Sequence, residues 1–391
     1  MTDVLERVGG REARAGGQLT GKPPAGANAG ALLEHASGLL ASGLLDDTEE
    51  LVVCHDRRTG LQAVIAVDDT TLGPGLGGVR WMPYEDEASA AAEATRLARV
   101  MTLKNALAGI PYGGAKSVIW SDRLPAGPDR RATLRAFGSF VARLHGAYVP
   151  GVDMGTSVDD LAEIAAVAPD VSCDHEDPSP STALGVFAGI RAAVAEVDGP
   201  GLAGKTVLVQ GAGHVGRALA HCLAGAGALV AVADVDEALA AAVAAEVGGS
   251  VVGPEAVTGY RCDVWAPCAT ARVVRAGNAG NAGNPGNAGA LGCRIVAGAA
   301  NDVLAERGCA KVLADHGVTY VPDFLLNAGG VVHIHAVRSG WVPDQLEAAV
   351  LNIGDRVHEV LQVARRSGRL PVDVAEQLAS SRLGRSIGIP A

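Results

Sequence analysis

Lysine is scarce in this chain. Of 391 residues 32 are basic, yet only Lys22, Lys104, Lys116, Lys205 and Lys311 are lysine. Arginine serves wherever a permanent cation suffices, so each remaining lysine is a candidate for what arginine cannot do, which is to lose a proton near neutral pH. No stretch approaches the ~20 uninterrupted apolar residues of a membrane-spanning helix. The first residues lack the basic-then-apolar pattern of a signal peptide, and a soluble, cytoplasmic protein is expected. Positive charge is also short overall: the net charge is -11, which argues against nucleic acid or an anionic membrane as the main partner. The seven cysteines (Cys54, Cys173, Cys222, Cys262, Cys268, Cys293 and Cys309) are odd in number and contain no C-x-x-C pair. Neither a disulfide framework nor a zinc site is indicated, and most read as small buried hydrophobes.

What is present supports a large core: hydrophobic residues make up 48% of the chain, and the length suits two domains. Residues 1–30, rich in Gly, Ala, Arg and Pro, read as a disordered tail. Residues 31–48 carry leucine at helical spacing and predict a short amphipathic helix. The runs LVVCHD and LQAVIAVDD, joined by Arg57-Arg58-Thr59-Gly60, predict a hairpin. A glycine-rich turn over Leu72–Gly78 precedes a helix over roughly 86–108, and a second tight turn over Ile110–Lys116 feeds a short strand Ser117–Trp120. Helices follow at about 129–145 and at VDDLAEIAAVA, the latter after a strand-like YVPGVD. From 181 the texture becomes alternating strand and helix: a helix over 182–197, strands at Thr206–Gln210 and Leu229–Ala233, and further strands near 262–265, 293–297 and 318–321. The fold class is therefore α/β, with a parallel sheet in the second half. Residues 276–290 are a low-complexity insert, read as a flexible surface loop. The tail from 341 is helical and is expected to pack back on the first half.

One motif points to a ligand. Gly211-Ala212-Gly213-His214-Val215-Gly216 follows a β-branched strand and opens a helix, and Asp234 closes the next strand 18 positions after the last glycine. Glycines here tighten the turn and let backbone N–H groups approach a pyrophosphate, with the helix N-terminus adding partial positive charge. Asp234 would accept hydrogen bonds from adenosine ribose hydroxyls and repel a 2′-phosphate, which favours NAD over NADP.

The substrate must come from the first half. Glycines directly before Lys116 let the backbone fold close to a ligand. Were Lys104 and Lys116 to converge on one cleft, they would depress each other's pKa, and burial would add to that. A lysine near neutrality serves as a general base, and a charged partner holds a carboxylate. Asp153, where a strand gives way to a turn, is placed to exchange protons with an amine. Taken singly, each lysine also reads as a solvated surface charge and Asp153 as a helix cap. His333 and His335 alternate on what reads as a strand; with no third ligand evident, they read as core or pocket histidines rather than a metal site.

Eight blocks resemble, in order, those of the Glu/Leu/Phe/Val dehydrogenases: Leu72–Gly78, Met101–Asn105, Gly113–Lys116, Asp153–Thr156, the dinucleotide turn, Ala266–Ala269, Ala297–Asn301 and Asn327–Gly330. The resemblance spans roughly 31–391. It implies an N-terminal α/β substrate and oligomerisation domain (31–180), a Rossmann-type NAD domain (181–335) and C-terminal helices (336–391) returning to the first. It implies that Lys104 binds the substrate carboxylate, that Lys116 is the base activating water against an iminium, and that Asp153 is the acid/base at the amine. Gly77, Gly78 and Asn301 would lie on the substrate side, and Leu76, Gly151, Val331 and Ile334 would line the side-chain pocket. Thr182, Gly211, Ala212, Gly213, His214, Val215, Gly216, Asp234, Cys268, Ala269 and Asn301 would serve the NAD cofactor. The implied reaction is reversible oxidative deamination of a hydrophobic L-amino acid (phenylalanine slightly ahead of leucine and valine) to the 2-oxo acid and ammonium, by a homo-oligomer. The chain departs from the family pattern in a shortened Cys173–Pro178 segment, in Thr270-Ala271-Arg272 where glycine is common, and in Asp302 where a second Asn is common. The shortened loop lends weight to a competing reading, a non-catalytic NAD-binding regulator; the retained Lys104, Lys116 and Asp153 count against it.

Overall fold

Small residues set how closely the first lobe packs. The computed structural model describes residues 48–121, 124–172, 177–275 and 291–384, all within one compact unit, Leu44–Ala391. The expected tail, the insert at 276–290 and all but the last residue of the helix expected over 31–48 lie outside the described residues. The hairpin forms as expected: β1 (Glu50–Asp56) pairs antiparallel with β2 (Leu61–Asp69). With β3 (Gly75–Met82), β4 (Gly113–Trp120) and β5 (Tyr148–Val152) they make a sheet of order β1-β2-β4-β3-β5, in which β4, β3 and β5 run parallel.

Two glycine stretches read as turns are largely strand. Gly75–Gly78 belong to β3, and Gly113–Lys116 open β4. The glycines are needed for close approach rather than for reversal. A Cβ on Gly77 would sit 1.7 Å from the Ala115 carbonyl oxygen, and one on Gly114 would sit 2.2 Å from the Thr102 backbone nitrogen. The latter contact seats helix α1 (Glu87–Ala108) directly on β4. This helix starts at Asp86, whose carboxylate accepts the Ser89 N–H, and stops at Gly109 in the left-handed region (φ 73°). Ala90, Ala91, Ala94 and Ala98 face Val64, Ala66 and Val118. On the opposite face α2 (Gly127–Ala142) and α3 (Val158–Ala165) bring Leu134, Phe137, Leu161 and Ile164 against Ile65, Val79 and Trp81. Both faces of β2 are thus covered, which is why LQAVIAVDD reads as nearly continuous hydrophobicity.

The second lobe begins with α4 (Ser179–Asp198) and is a six-stranded parallel sheet of β6 (Thr206–Gln210), β7 (Leu229–Ala233), β8 (Ser250–Val251), β9 (Val264–Pro267), β10 (Ile295–Val296) and β11 (Thr319–Tyr320). Its order, β11-β10-β9-β6-β7-β8, reverses between β6 and β9. In such sheets ligands bind beyond the strand C-termini at that reversal. The helices α5 (His214–Gly225), α6 (Glu237–Val247) and α7 (Gly308–Asp315) connect the strands, followed by α8 (Asp323–Leu326) and α9 (Gly329–Ser339). The segment holding His333 and His335 is therefore helix, not strand. Gly329 lets α9 press on α4, where a Cβ would lie 2.1 Å from the Ser181 carbonyl oxygen. The tail forms α10 (Pro343–Ser367) and α11 (Pro371–Arg382). Arg382 donates to the Ala106 and Leu107 carbonyls, capping the C-terminal end of α1 with charge and hydrogen bonds together.

Candidate active site

A cleft of about 330 Å³ opens between the lobes, within the range of small-molecule sites. Every residue expected on the substrate side lines it: Lys104, Lys116, Asp153, Asn301, Gly77, Gly78, Leu76, Gly151, Val331 and Ile334. Lys116 extends from the middle of β4, Lys104 from the last quarter of α1 and Asp153 from the residue after β5. Gly78 provides the space in which two of them meet: a Cβ there would be 2.7 Å from the Asp153 Cβ and 3.1 Å from the Lys116 Nζ.

Lys116 Nζ lies 3.0 Å from Asp153 Oδ2, and Arg80 Nε donates to the same oxygen at 2.8 Å. Burial disfavours the Asp153 carboxylate, but the two cations and their hydrogen bonds outweigh it and hold its pKa below the ordinary value. Lys116 is buried, and desolvation pulls its pKa down, with Arg80 adding to the fall and Asp153 opposing it. Lys104 is drawn down to about 8, by burial first and then by Lys116, against the nearby Asp323 carboxylate. The two lysines therefore do not depress each other equally. Lys116 weighs on Lys104, whereas the like charge that weighs on Lys116 is Arg80, a residue absent from the sequence expectation. A signal existed: alternation places Gly78 and Arg80 on one face of β3.

Lys104 Nζ donates to Asn301 Oδ1 at 3.1 Å, and Asn327 Nδ2 donates to the same oxygen at 2.8 Å. The other side-chain atom of Asn327, Oδ1, is buried without a hydrogen-bond partner on the cleft wall, leaving an acceptor for a ligand donor. The wall adds Leu97, Val100 and Met101 to the expected apolar residues.

The dinucleotide residues form a second, contiguous group. Thr182 and Val215 reach the cleft, while Gly211, Ala212, Gly213, His214 and Gly216 lie at the β6–α5 turn. A Cβ on Gly216 would sit 1.8 Å from the Gly211 carbonyl oxygen, so helix and strand close up as a pyrophosphate-binding turn requires. Gly213 is the N-cap of α5 and offers no side-chain cap, the arrangement that suits anion binding at a helix N-terminus. Asp234 Oδ2 accepts the Ala212 N–H at 2.7 Å, fixing the carboxylate beside the turn. Ala269 packs against Gly211, and the Cys268 N–H donates to the Gln210 carbonyl at 2.7 Å. Burial pushes the Cys268 thiol up to about 12, so it is inert at neutral pH. His214 is exposed, 3.4 Å from Asp177. These residues fit a dinucleotide.

His333 is buried, its Nδ1 3.0 Å from the Ser181 hydroxyl, and His335 stacks edge-on between Tyr112 and Trp341. Among the described residues no group of three or more His, Cys, Asp or Glu side chains could hold a metal, and no helix is long and apolar enough to cross a membrane.

The same two regions emerge from comparison with known proteins. Residues 49–168 match the Glu/Leu/Phe/Val dehydrogenase dimerisation domain, and residues 176–247 and 242–339 match the glutamate/leucine/phenylalanine/valine dehydrogenase domain. A leucine dehydrogenase of Thermoactinomyces intermedius is 36% identical over 345 residues, 86% of this chain and 91% of that one. A valine dehydrogenase of Streptomyces albus is 37% identical over 350 residues, 86% and 93% of the two chains. The crystal structure of L-tryptophan dehydrogenase from Nostoc punctiforme superposes with a TM-score of 0.76 at 34% identity, covering 88% of this chain and 98% of that one. With its paired buried lysines, its cleft carboxylate and its glycine turn all in the matched segments, the chain belongs to the Glu/Leu/Phe/Val dehydrogenase family and is an amino-acid dehydrogenase, acting on CH–NH2 donors.

Proposed function

We propose that the protein catalyses the reversible, NAD-dependent oxidative deamination of a hydrophobic L-amino acid to its 2-oxo acid and ammonium. The observation that carries this reading is the group of buried Lys104 and Lys116 with half-buried Asp153, reached from one side by an apolar wall and from the other by Asn301 and Thr182 of the dinucleotide lobe. Lys104 holds the substrate α-carboxylate, which restores the partner charge its burial demands and raises its pKa on binding. The nicotinamide, when bound, supplies the hydride acceptor. Loss of hydride from Cα leaves an iminium carbon that water attacks. Lys116 in its neutral form takes the proton from that water. Asp153 exchanges the proton of the substrate nitrogen, and the carbinolamine C–N bond then breaks to give 2-oxo acid and ammonia. Thr182 and Val215, the Gly211–Gly216 turn, Asp234 and Cys268–Ala269 hold the cofactor, and Asp234 sets the preference for NAD.

An acidic side chain does not suit this cleft. Arg80, a further cation on its wall, is paired with both Asp153 and Glu93, and Leu76, Val331 and Ile334 are apolar. Phenylalanine, leucine and valine are the favoured substrates, with tryptophan added by the named relative. The first lobe, matched to a dimerisation domain, assembles the chain into a homo-oligomer, and the enzyme works in the cytoplasm.

The test is NADH formation at alkaline pH across L-Phe, L-Leu, L-Val, L-Trp and L-Glu. Turnover of at least one hydrophobic substrate with little on L-Glu is expected. Intact NAD binding without turnover of any of them would replace this reading with that of an NAD-binding regulator.

A further inference from the structure

A chain of ion pairs crosses the cleft. From Lys116 it runs to Asp153, then to Arg80, whose Nη1 lies 2.7 Å from Glu93 Oε1. Glu93 Oε2 is 2.8 Å from Arg96 Nη2, and Arg96 Nη1 is 2.7 Å from Asp302 Oδ1. The first five members belong to the first lobe; Asp302 belongs to the second, next to Asn301. We propose that the Arg96–Asp302 pair is a latch between the lobes, and that both are positioning residues for the reaction in the cleft. The inference rests on the assignment of Lys104 to the substrate carboxylate and of Lys116 to the base.

The geometry argues for this in three ways. Arg96, Val100 and Lys104 occupy successive turns on one face of α1, so Arg96 and Lys104 stand about 12 Å apart along the helix axis. They grip Asp302 and Asn301, two consecutive residues of the opposite lobe. A single contact leaves the Asn301–Asp302 turn free to pivot on α1; two contacts at separate points remove that freedom. Next, the turn is itself held rigid. Asp302 has φ 52°, a left-handed conformation uncommon for a residue with a side chain. Its carbonyl accepts the Arg272 N–H at 2.6 Å, and the following Val303 N–H donates to the buried Asp323 at 2.8 Å. A rigid turn transmits position from Asp302 to Asn301, and a floppy one does not. Finally, Asp302 is 19% and Arg96 36% exposed at the side chain, so the pair is half-buried and screened somewhat less than a fully exposed ion pair. The charges that face Asp302 are Arg96, Lys104 and Asp323.

A latch that holds the two walls of the cleft in this arrangement strengthens ground state and transition state alike, so its loss raises KM and leaves kcat nearly unchanged. The experiment is a double-mutant cycle in the full chain with Arg96→Gln and Asp302→Asn, read as KM for the preferred amino acid, kcat, and the dependence of KM on NaCl. Each single variant is expected to raise KM roughly five- to tenfold, with kcat changed less than twofold. The double variant should be no worse than the worse single one, with a flattened salt dependence. Arg96→Lys, which keeps the charge, should recover most of the affinity and guards against a folding defect in the Gln variant. Additive losses, an unchanged KM, or a salt dependence as steep as in the parent would each overturn the latch. A defect in the underlying assignment shows up separately, as activity surviving Lys116→Ala while the cycle stays non-additive.

Discussion

Removing the Arg80 charge tests the electrostatics of the site where they are most tightly coupled. Arg80 Nε and Lys116 Nζ lie 2.8 and 3.0 Å from the same Asp153 oxygen. The two cationic nitrogens are therefore within about 6 Å of each other, and at an effective dielectric near 20 their repulsion is about 3 kcal/mol. The guanidinium spreads its charge away from Nε, so about half of this is the more realistic figure. That corresponds to roughly a tenfold change in the neutral fraction of Lys116 at a fixed pH on the acidic limb. The sign follows from the role proposed for Lys116: it must be neutral to accept a proton from water, Arg80 helps lower its pKa, and Arg80→Met lets that pKa rise. In oxidative deamination, kcat/KM of the Met variant should thus fall by about tenfold on the acidic limb, recover at strongly alkaline pH, and show the limb displaced upward. Arg80→Lys, which restores a charge, should move the limb back towards the parent. The assay is the pH profile of NADH formation from pH 7 to 11. A limb that stays in place in the Met variant, or moves to lower pH, would refute the reasoning.

Other substitutions probe separate parts of the account. A Cβ on Gly151 would meet no atom within 4 Å, so Gly151→Ala adds a methyl group to the cleft without strain. The ratio of kcat/KM for L-Phe to that for L-Val should fall about tenfold, and an unchanged ratio would remove Gly151 from the side-chain pocket. Gly114→Ala places a methyl 2.2 Å from the Thr102 backbone nitrogen and should destabilise the protein by about 2 kcal/mol or more; a denaturation midpoint equal to the parent's would contradict the close helix–strand contact. Asp234→Ser withdraws the carboxylate proposed to disfavour a 2′-phosphate and should raise the NADP-to-NAD ratio of kcat/KM by roughly tenfold. A ratio that stays where it was would dissociate Asp234 from cofactor choice.

Local patterns were legible in the sequence wherever one period or one composition dominated. The Leu61–Asp69 strand, the alanine-rich α1 and the β6–turn–α5 unit all occur where hydrophobic periodicity and glycine placement indicated. The glycine stretches misled because glycine serves both reversal and close approach, and only the partner at Ala115 O or Thr102 N reveals which. His333 and His335 misled for a related reason: alternation over so few residues occurs in helices too, and both lie inside the helix Gly329–Ser339. That Lys104, Lys116 and Asp153 would meet in one cleft was legible through lysine scarcity and motif order. Arg80 and Arg96 were hidden among the many arginines, since what distinguishes them is pairing with Asp153 and Asp302, carboxylates from distant parts of the chain. Asp302 drew notice only as an unusual residue beside Asn301; its partner lies 206 positions away and no local pattern indicates it.

The claim that Lys116 is the base in an NAD-linked deamination is tested most directly by comparing Lys116→Ala with the parent on the preferred hydrophobic amino acid. NADH formation is followed, and NADH binding is measured independently by fluorescence titration. The account predicts a loss of about 10³-fold in kcat/KM with the dissociation constant for NADH changed less than twofold, because Lys116 lies outside the β6–α5 turn. Activity retained within about tenfold of the parent would contradict it.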